Sequence, residues 1–231
     1  MTQTEQVKIS ELFTLEETAA KDYLAGFTYP WEALAGIHDL IVELGKKLPE
    51  ELYDHPSANV WIAKSAKVFP SAYIGGACII GEKTEVRHGA FIRGDALIGN
   101  NCVIGNSVEL KNVIIFNNSE VPHYNYVGDS ILGFHAHMGA GSITSNIKAD
   151  RKNIIVKGEK QYTTGRRKIG AMLGDYAEIG CNAVLNPGTI VGKHAQVYPT
   201  TCVRGIVRSY TIVKNGGEQI AKRDAGDFLN F

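Results

Sequence analysis

Cysteine is scarce in this chain, with four in 231 residues, at positions 78, 102, 181 and 202. No CxxC pair exists, which removes the usual spacing of a zinc knuckle or a dithiol redox centre. An excess charge of one sign is also missing: Lys plus Arg and Asp plus Glu both number 24. A neutral chain gives no support for a dedicated nucleic-acid binder, whose affinity rests on phosphate neutralisation. There is no apolar run of about 20 residues, so no membrane span is expected. The first twenty residues, MTQTEQVKISELFTLEETAA, lack the basic and apolar regions of a secretory signal. A cytoplasmic protein is the expectation.

What the chain does contain is a period of six. Large apolar side chains stand at Ile62, Val68, Ile74, Ile80, Val86, Ile92, Ile98, Ile104, Leu110 and Phe116. A smaller residue lies two places before the first nine, among them Ala66, Ala72, Cys78, Thr84, Ala90, Ala96 and Cys102. Gly follows the aliphatic at 75, 81, 99 and 105. The series returns at Leu173, Ile179, Leu185, Val191, Val197 and Val203. Six fits neither the 3.6 of an amphipathic helix nor the alternation of an isolated strand. It is the hexapeptide repeat of a parallel β-helix. Each hexad supplies a short strand and a turn, and three close a coil of about 18 residues. Coils stack at roughly 4.8 Å, and only stacked coils bury a continuous core. Cys78 and Cys102, at the small position, read as buried wall residues.

The fold class is therefore an all-β solenoid with a short N-terminal helical segment, divided as 1–57, 58–206 and 207–231. Residues 8 to 26 read as a helix, with Thr14 and Glu17 as a capping box and Gly26 as terminator. A second helix is expected from Pro30 to Leu44, with Trp31, Leu34, Ile37, Ile41 and Leu44 as its apolar stripe. These helices are expected to cap one end of the solenoid, because such ends must be covered. The hexad count slips between 117 and 146 and breaks at 147–168, IKADRKNIIVKGEKQYTTGRRK, read as a basic loop ejected from a corner. SYTIVKN reads as a last strand before a polar tail carrying Phe228 and Phe231.

A regular solenoid needs no polar cluster in its wall, yet residues 93 to 146 hold Arg93, Glu109, Lys111, His123, Tyr126, His135, His137 and Asn146. Arg93 and Lys111 are one 18-residue coil apart, which places both on one wall as a candidate phosphate site. His123 interrupts the hexads in EVPHYNYVGD and has the side chain most used as a general base near neutral pH.

The segment GNSVELKNVIIFNNSEVPHYNYVGDSILG, followed by MGAGSITSN, resembles the acetyltransferase domain of the bifunctional glucosamine-1-phosphate acetyltransferase/N-acetylglucosamine-1-phosphate uridylyltransferases. The similarity is greatest to the archaeal-type sugar-1-phosphate nucleotidylyltransferase/acetyltransferases, whose pattern TTGRRKIGAMLGD and YPWEAL also resemble. The resemblance covers roughly 29 to 206. It implies a left-handed β-helix, a homotrimer with active sites between subunits, and acetyl-CoA as co-substrate without a metal. It implies His123 as general base and Glu109 as its aid. Arg93 and Lys111 would hold the phosphate of an amino-sugar phosphate; Tyr126, Asn146 and His135 would position the sugar. Ala140 and Cys181 would line the acetyl-CoA groove, with Arg166 and Arg167 meeting the CoA phosphates. His135 and Cys181 stand where acetyltransferases of this type commonly have Asn and Ser. No Gly-rich nucleotide loop precedes the repeats, so nucleotidyl transfer is not expected of this chain.

The leading expectation is thus an acetyl-CoA-dependent N-acetyltransferase acting on an amino-sugar phosphate such as glucosamine-1-phosphate. The alternative is a non-catalytic trimeric module that binds a sugar phosphate or sugar nucleotide. A metal hydrolyase of the carbonic anhydrase type shares the solenoid, and His88, His123, His135 and His137 invite it. The paired His at a five-residue offset is absent, however: His123 plus five is Gly128, and His88 plus five is Arg93.

Overall fold

The computed structural model describes residues 6 to 222; Phe228 and Phe231 lie outside them. The hexads wind into a three-walled parallel solenoid, the left-handed β-helix expected from the sequence. The aliphatic rows stack inward. Ile80, Ile98, Ile115, Leu132, Leu173, Val191 and Val207 are all at most 1% exposed and belong to one core. Buried hydroxyls at the small positions find partners: Ser119 Oγ donates to Gly133 O at 2.7 Å, and Thr84 Oγ1 to Gly99 O at 2.7 Å. A buried hydroxyl without such a partner costs roughly 1–3 kcal/mol.

The coil length changes where the hexad count slips. Ile92 pairs with Leu110, a step of 18, but the next pair is Gly94 with Lys111, a step of 17. One corner residue has been dropped, and the following coil keeps the shorter step, with Tyr126 opposite Glu109 and Gly128 opposite Lys111. One expectation is corrected by this shift and another is refined. Phe116 does not fill the solenoid interior; Ile115 does, while Phe116 lies in a second core against Phe13, with ring centroids 5.2 Å apart. Arg93 and Lys111 lie on adjacent strands of one wall, as expected, but the bulge puts Gly94 and not Arg93 opposite Lys111.

The N-terminal helices cover a wall and not an end. Along one wall the outward residues are also apolar, in register from Ile79 through Leu97, Ile114, Ile131 and Met172 to Ile190. Leu12, Leu24, Trp31, Leu34, Ile37 and Ile41 bury that row. Each such aliphatic side chain removed from water is worth roughly 1.5–3 kcal/mol, which is why the helices settle on this row. The expected helix 8–26 is broken into Ile9–Leu12, the 3-10 turn Leu15–Glu17 and Lys21–Ala25. Thr14 makes no capping bond; its N–H donates to Asp175 Oδ2 at 2.7 Å, tying the segment to the coil. The second helix forms as Pro30–Ala33 and Ile37–Gly45 around a 3-10 turn, and the Glu32 carboxylate accepts from the Tyr29 N–H at 2.8 Å. The coil edges are covered by antiparallel strands: Tyr53–Ser57 on Val60–Ala63, and Gln219–Ala221 on Thr211–Val213. Both devices block edge-to-edge association.

The ejected segment is ordered. It forms the hairpin Ile155–Lys157 and Gln161–Thr163, with Ile154, Val156 and Ile169 buried in the second core. Tyr162 sits 5.4 Å from the Tyr29 ring and 5.9 Å from Trp31.

Candidate functional site

Two linked groups of polar residues lie on one wall and its adjoining corner. The first centres on Asp129, at the corner that ends the Tyr126–Gly128 stretch. Its φ of 50° is a left-handed value that short polar residues tolerate better than bulky ones. The carboxylate is buried and accepts from Lys111 Nζ at 2.9 Å, Asn112 Nδ2 at 2.9 Å and Asn146 Nδ2 at 2.6 Å. Asn146 also reaches Tyr126 Oη at 3.1 Å. Arg93, released by the bulge from the Lys111 row, pairs instead with Glu109, Nη1 to Oε1, at 2.8 Å. Tyr126 is held above its usual phenol range, first by burial and then by the charges of Asp129 and Glu109. Gly128 leaves room for that ring: a Cβ there would stand 2.5 Å from Tyr126 Oη. The structure therefore brings together Arg93, Glu109, Lys111, Tyr126 and Asn146.

The second group centres on His123, one corner before Tyr126. Its imidazole is exposed and lines a cavity of about 390 Å³ with Arg87, Glu120, His137, Ala140 and Cys181. The His123 backbone is fixed from inside the coil. Asn125, 3% exposed, accepts from the His123 N–H at 3.1 Å and donates to Gly139 O at 2.8 Å and Ser142 O at 3.0 Å. Gly105 makes room beneath it, because a Cβ there would strike the Pro122 carbonyl. Among the described residues, the Ala140 and Cys181 N–H groups have no protein acceptor, and both residues face this cavity. Such donors can stabilise an oxyanion in the space before them. His137 Nδ1 lies 3.0 Å from Glu178 Oε2. That contact raises the His137 pKa above its ordinary value, against the opposing pull of partial burial.

Three expected site residues fall elsewhere. His135 turns to a different corner, where it stacks on Tyr176 at 5.2 Å; Tyr176, His194 and Tyr210 continue the column at 4.6 and 4.8 Å. The imidazole beside His123 is that of His137. Arg166 and Arg167 line a cavity with Lys111 and Asp129, not the one containing Ala140 and Cys181. Asp129, Asn125 and Glu178 were not anticipated from the sequence. The signal for Asp129 was present: Asn112 and Asp129 recur at the shortened step of 17, each turning the same corner. Among the described residues, no group of three or more His, Cys, Asp or Glu side chains is arranged to hold a metal ion.

Comparison with known proteins adds an ancestry to this geometry. Residues 74–160 match the family described as the GMPPB C-terminal domain. The chain is 38% identical over 97 residues to a bifunctional sugar-1-phosphate nucleotidylyltransferase/acetyltransferase of Sulfurisphaera tokodaii, covering 41% of this chain and 24% of that protein. It is 31% identical over 192 residues to the bifunctional protein GlmU of Methanococcus maripaludis, covering 82% of this chain and 47% of that protein. The chain thus spans about half the length, or less, of these curated relatives. Among solved structures, a UDP-N-acetylglucosamine acyltransferase of Francisella novicida aligns with a TM-score of 0.39 and 18% identity over 71% of this chain and 68% of that one. A mutant of the N-acyltransferase AntD from Bacillus cereus, in complex with dTDP-4-amino-4,6-dideoxyglucose and coenzyme A, aligns at 0.36 and 17% over 72% of this chain and 82% of that one. By sequence, this chain is similar to the C-terminal part of bifunctional sugar-1-phosphate nucleotidylyltransferase/acetyltransferases.

Proposed function

We propose that the protein is an acetyl-CoA-dependent N-acetyltransferase whose acceptor is an amino sugar carrying a phosphate, with glucosamine-1-phosphate as the reference substrate. The observation that carries this reading is the His123 cavity: an exposed imidazole on a rigidly pinned backbone, in a cavity also lined by Ala140 and Cys181, whose N–H groups have no protein acceptor among the described residues. The similarity to bifunctional acetyltransferases supports it. In the reaction, the amine nitrogen attacks the thioester carbonyl carbon while His123 accepts the proton that the amine sheds. The N–H groups of Ala140 and Cys181 would hold the carbonyl oxygen as it gains charge. The new N–C bond forms, the C–S bond breaks, and CoA leaves as its thiol after taking up a proton. Tyr126 and Asn146 would orient the sugar, with Arg93 bound to Glu109 and Lys111 bound to Asp129 at its margin. Such proximity and orientation account for a large share of the rate gain in bimolecular transfers.

A homotrimer with sites between subunits is part of the same proposal. The deciding experiment is release of CoA thiol from acetyl-CoA in the presence of glucosamine-1-phosphate and related amino sugars. Turnover that drops by about 10²-fold or more in His123→Ala is the expected result. Absence of turnover on every amino sugar, or an undiminished rate in His123→Ala, overturns the reading.

A further inference from the structure

Acyl transfer from a thioester to an amine moves two protons, one off the nitrogen and one onto the sulfur. His123 accounts for the first. A donor for the second stands in the same cavity, where His137 lines the wall with His123, Ala140 and Cys181. The coil register explains the placement. Glu120, His137 and Glu178 lie opposite one another on three successive coils, at a spacing of roughly 4.8 Å. Three residues further along those coils come His123, Ala140 and Cys181 respectively. A row of carboxylate, imidazole and carboxylate therefore runs parallel to the row that carries the base and the two N–H groups. A thioester whose carbonyl oxygen rests on the Ala140 N–H has His123 on the coil before it and His137 on the same coil.

The imidazole is held in one orientation. Its backbone is paired on both sides within the wall, and its Nδ1 lies 3.0 Å from Glu178 Oε2. With Nδ1–H donated to that carboxylate, Nε2 is the nitrogen left for the cavity. The Glu178 contact raises the His137 pKa above its ordinary value, with a smaller contribution from the charge of Glu120 and against the pull of partial burial. The other charged or titratable groups lining the cavity are Arg87, His123 and Cys181. Arg87 is paired with Glu85 at 3.3 Å. An acid whose pKa lies near the working pH is both charged in a useful fraction and able to give up its proton. An alkyl thiol, with a pKa of about 8.5, is a leaving group that gains from such a donor.

We propose that His137 is the general acid of the transfer, donating its Nε2 proton to the departing CoA sulfur, and that Glu178 is the positioning residue that keeps the ring charged and turned to the cavity. This rests on the acyl-transfer reading above. The C–S bond breaks, its electron pair goes to sulfur, and sulfur takes the His137 proton and leaves as the thiol. His137 is left neutral, with its Nδ1–H still on Glu178, and His123 is left protonated. One proton then passes from His123 to solvent and one from solvent to His137, which resets the site.

The test is the pH dependence of kcat for the full chain, with acetyl-CoA and the amino sugar that wild type turns over fastest. His137→Gln and Glu178→Gln are compared with wild type, with melting temperature and acetyl-CoA affinity as controls for folding and binding. His137→Gln should lower kcat about 10²-fold near neutral pH, while KM for acetyl-CoA changes less than about threefold. Wild-type kcat should decline on the alkaline side as His137 loses its proton. His137→Gln should lack that decline, and Glu178→Gln should move it to lower pH, because the anion that favours the protonated ring is gone. With S-acetyl-5-thio-2-nitrobenzoate as donor, whose aromatic thiolate leaves without a proton, the loss in His137→Gln should shrink to less than about threefold. Undiminished kcat in His137→Gln, or the same fractional loss with both donors, overturns the proposal and leaves the role of His123 standing. Absence of wild-type turnover on every amino sugar overturns the acyl-transfer reading itself, and this proposal with it.

Discussion

Lys111 Nζ lies 2.9 Å from Asp129 Oδ1, and that carboxylate is the shared acceptor of Lys111, Asn112 and Asn146. Hydrogen bonds to a buried charge contribute about 1.5–3 kcal/mol each at most, and here three converge. Asp129→Asn keeps the corner conformation but removes the charge. It should lower stability by about 1–3 kcal/mol in denaturant unfolding.

Gly105 is required by packing and not by backbone conformation. A methyl group there would meet the Pro122 carbonyl, in the segment that presents His123. Overpacking of this kind costs about 1–3 kcal/mol or more. Gly105→Ala is expected to lower the melting temperature, and to reduce acyl transfer more than a surface substitution of equal thermal cost.

Asn125 is the only link between the His123 N–H and the coil interior among the hydrogen bonds of the described residues. Asn125→Ala leaves the Gly139 and Ser142 carbonyls each short of a buried donor, a cost of about 1–3 kcal/mol. A positioning role predicts that kcat falls while KM for the acceptor changes little, and that Asn125→Asp restores part of the lost rate.

The two histidines with shifted titration act in opposite directions. His137 gains Glu178 as a partner, so its folded pKa is raised. Its contribution to stability is fully present below the unfolded value, near 6.5, and is lost as pH rises through the folded value. His194 lies between the Tyr176 and Tyr210 rings, and burial followed by Lys222 lowers its pKa. Its contribution is present above about 6.5 and is lost as pH falls through the folded value. Melting curves of wild type and Glu178→Gln between about pH 5 and 8 should therefore diverge toward acid and converge toward base. A constant difference across that range would count against the His137–Glu178 contact.

Thiol reactivity should divide the four cysteines. Burial pushes the Cys78 and Cys102 thiols up to about 12, while Cys181 and Cys202 are exposed. A thiol reagent should label Cys181 and Cys202 in the native protein and all four in denaturant. CoA should slow labelling of Cys181, which lines the His123 cavity, relative to Cys202.

The period of six was sufficient to define the solenoid, because each hexad repeats one local geometry and each aliphatic has one direction to face. It also placed Cys78 and Cys102 in the wall, His123 at an interruption, and the hairpin as an insertion. A second pattern was legible in hindsight: the apolar outward residues at Ile79 and Leu97, followed by Ile114 and Ile131 at the shortened step, mark the wall that the helices cover. Residue spacing alone could not reveal a dropped corner residue, since the chain keeps its hexad character while every later row moves by one. That single displacement takes Arg93 out of register with Lys111 and moves Phe116 out of the interior. The exchange of His135 for His137 has a similar origin: residues two apart on this chain lie on either side of a corner, one in an aromatic column and one in a cavity. The sequence thus determined the repeat and its inward face, which are local properties. Only the tertiary structure decided which charges meet, because Asp129, Lys111 and Arg167 are joined through coil register and hairpin docking, where one residue of slip changes every partner.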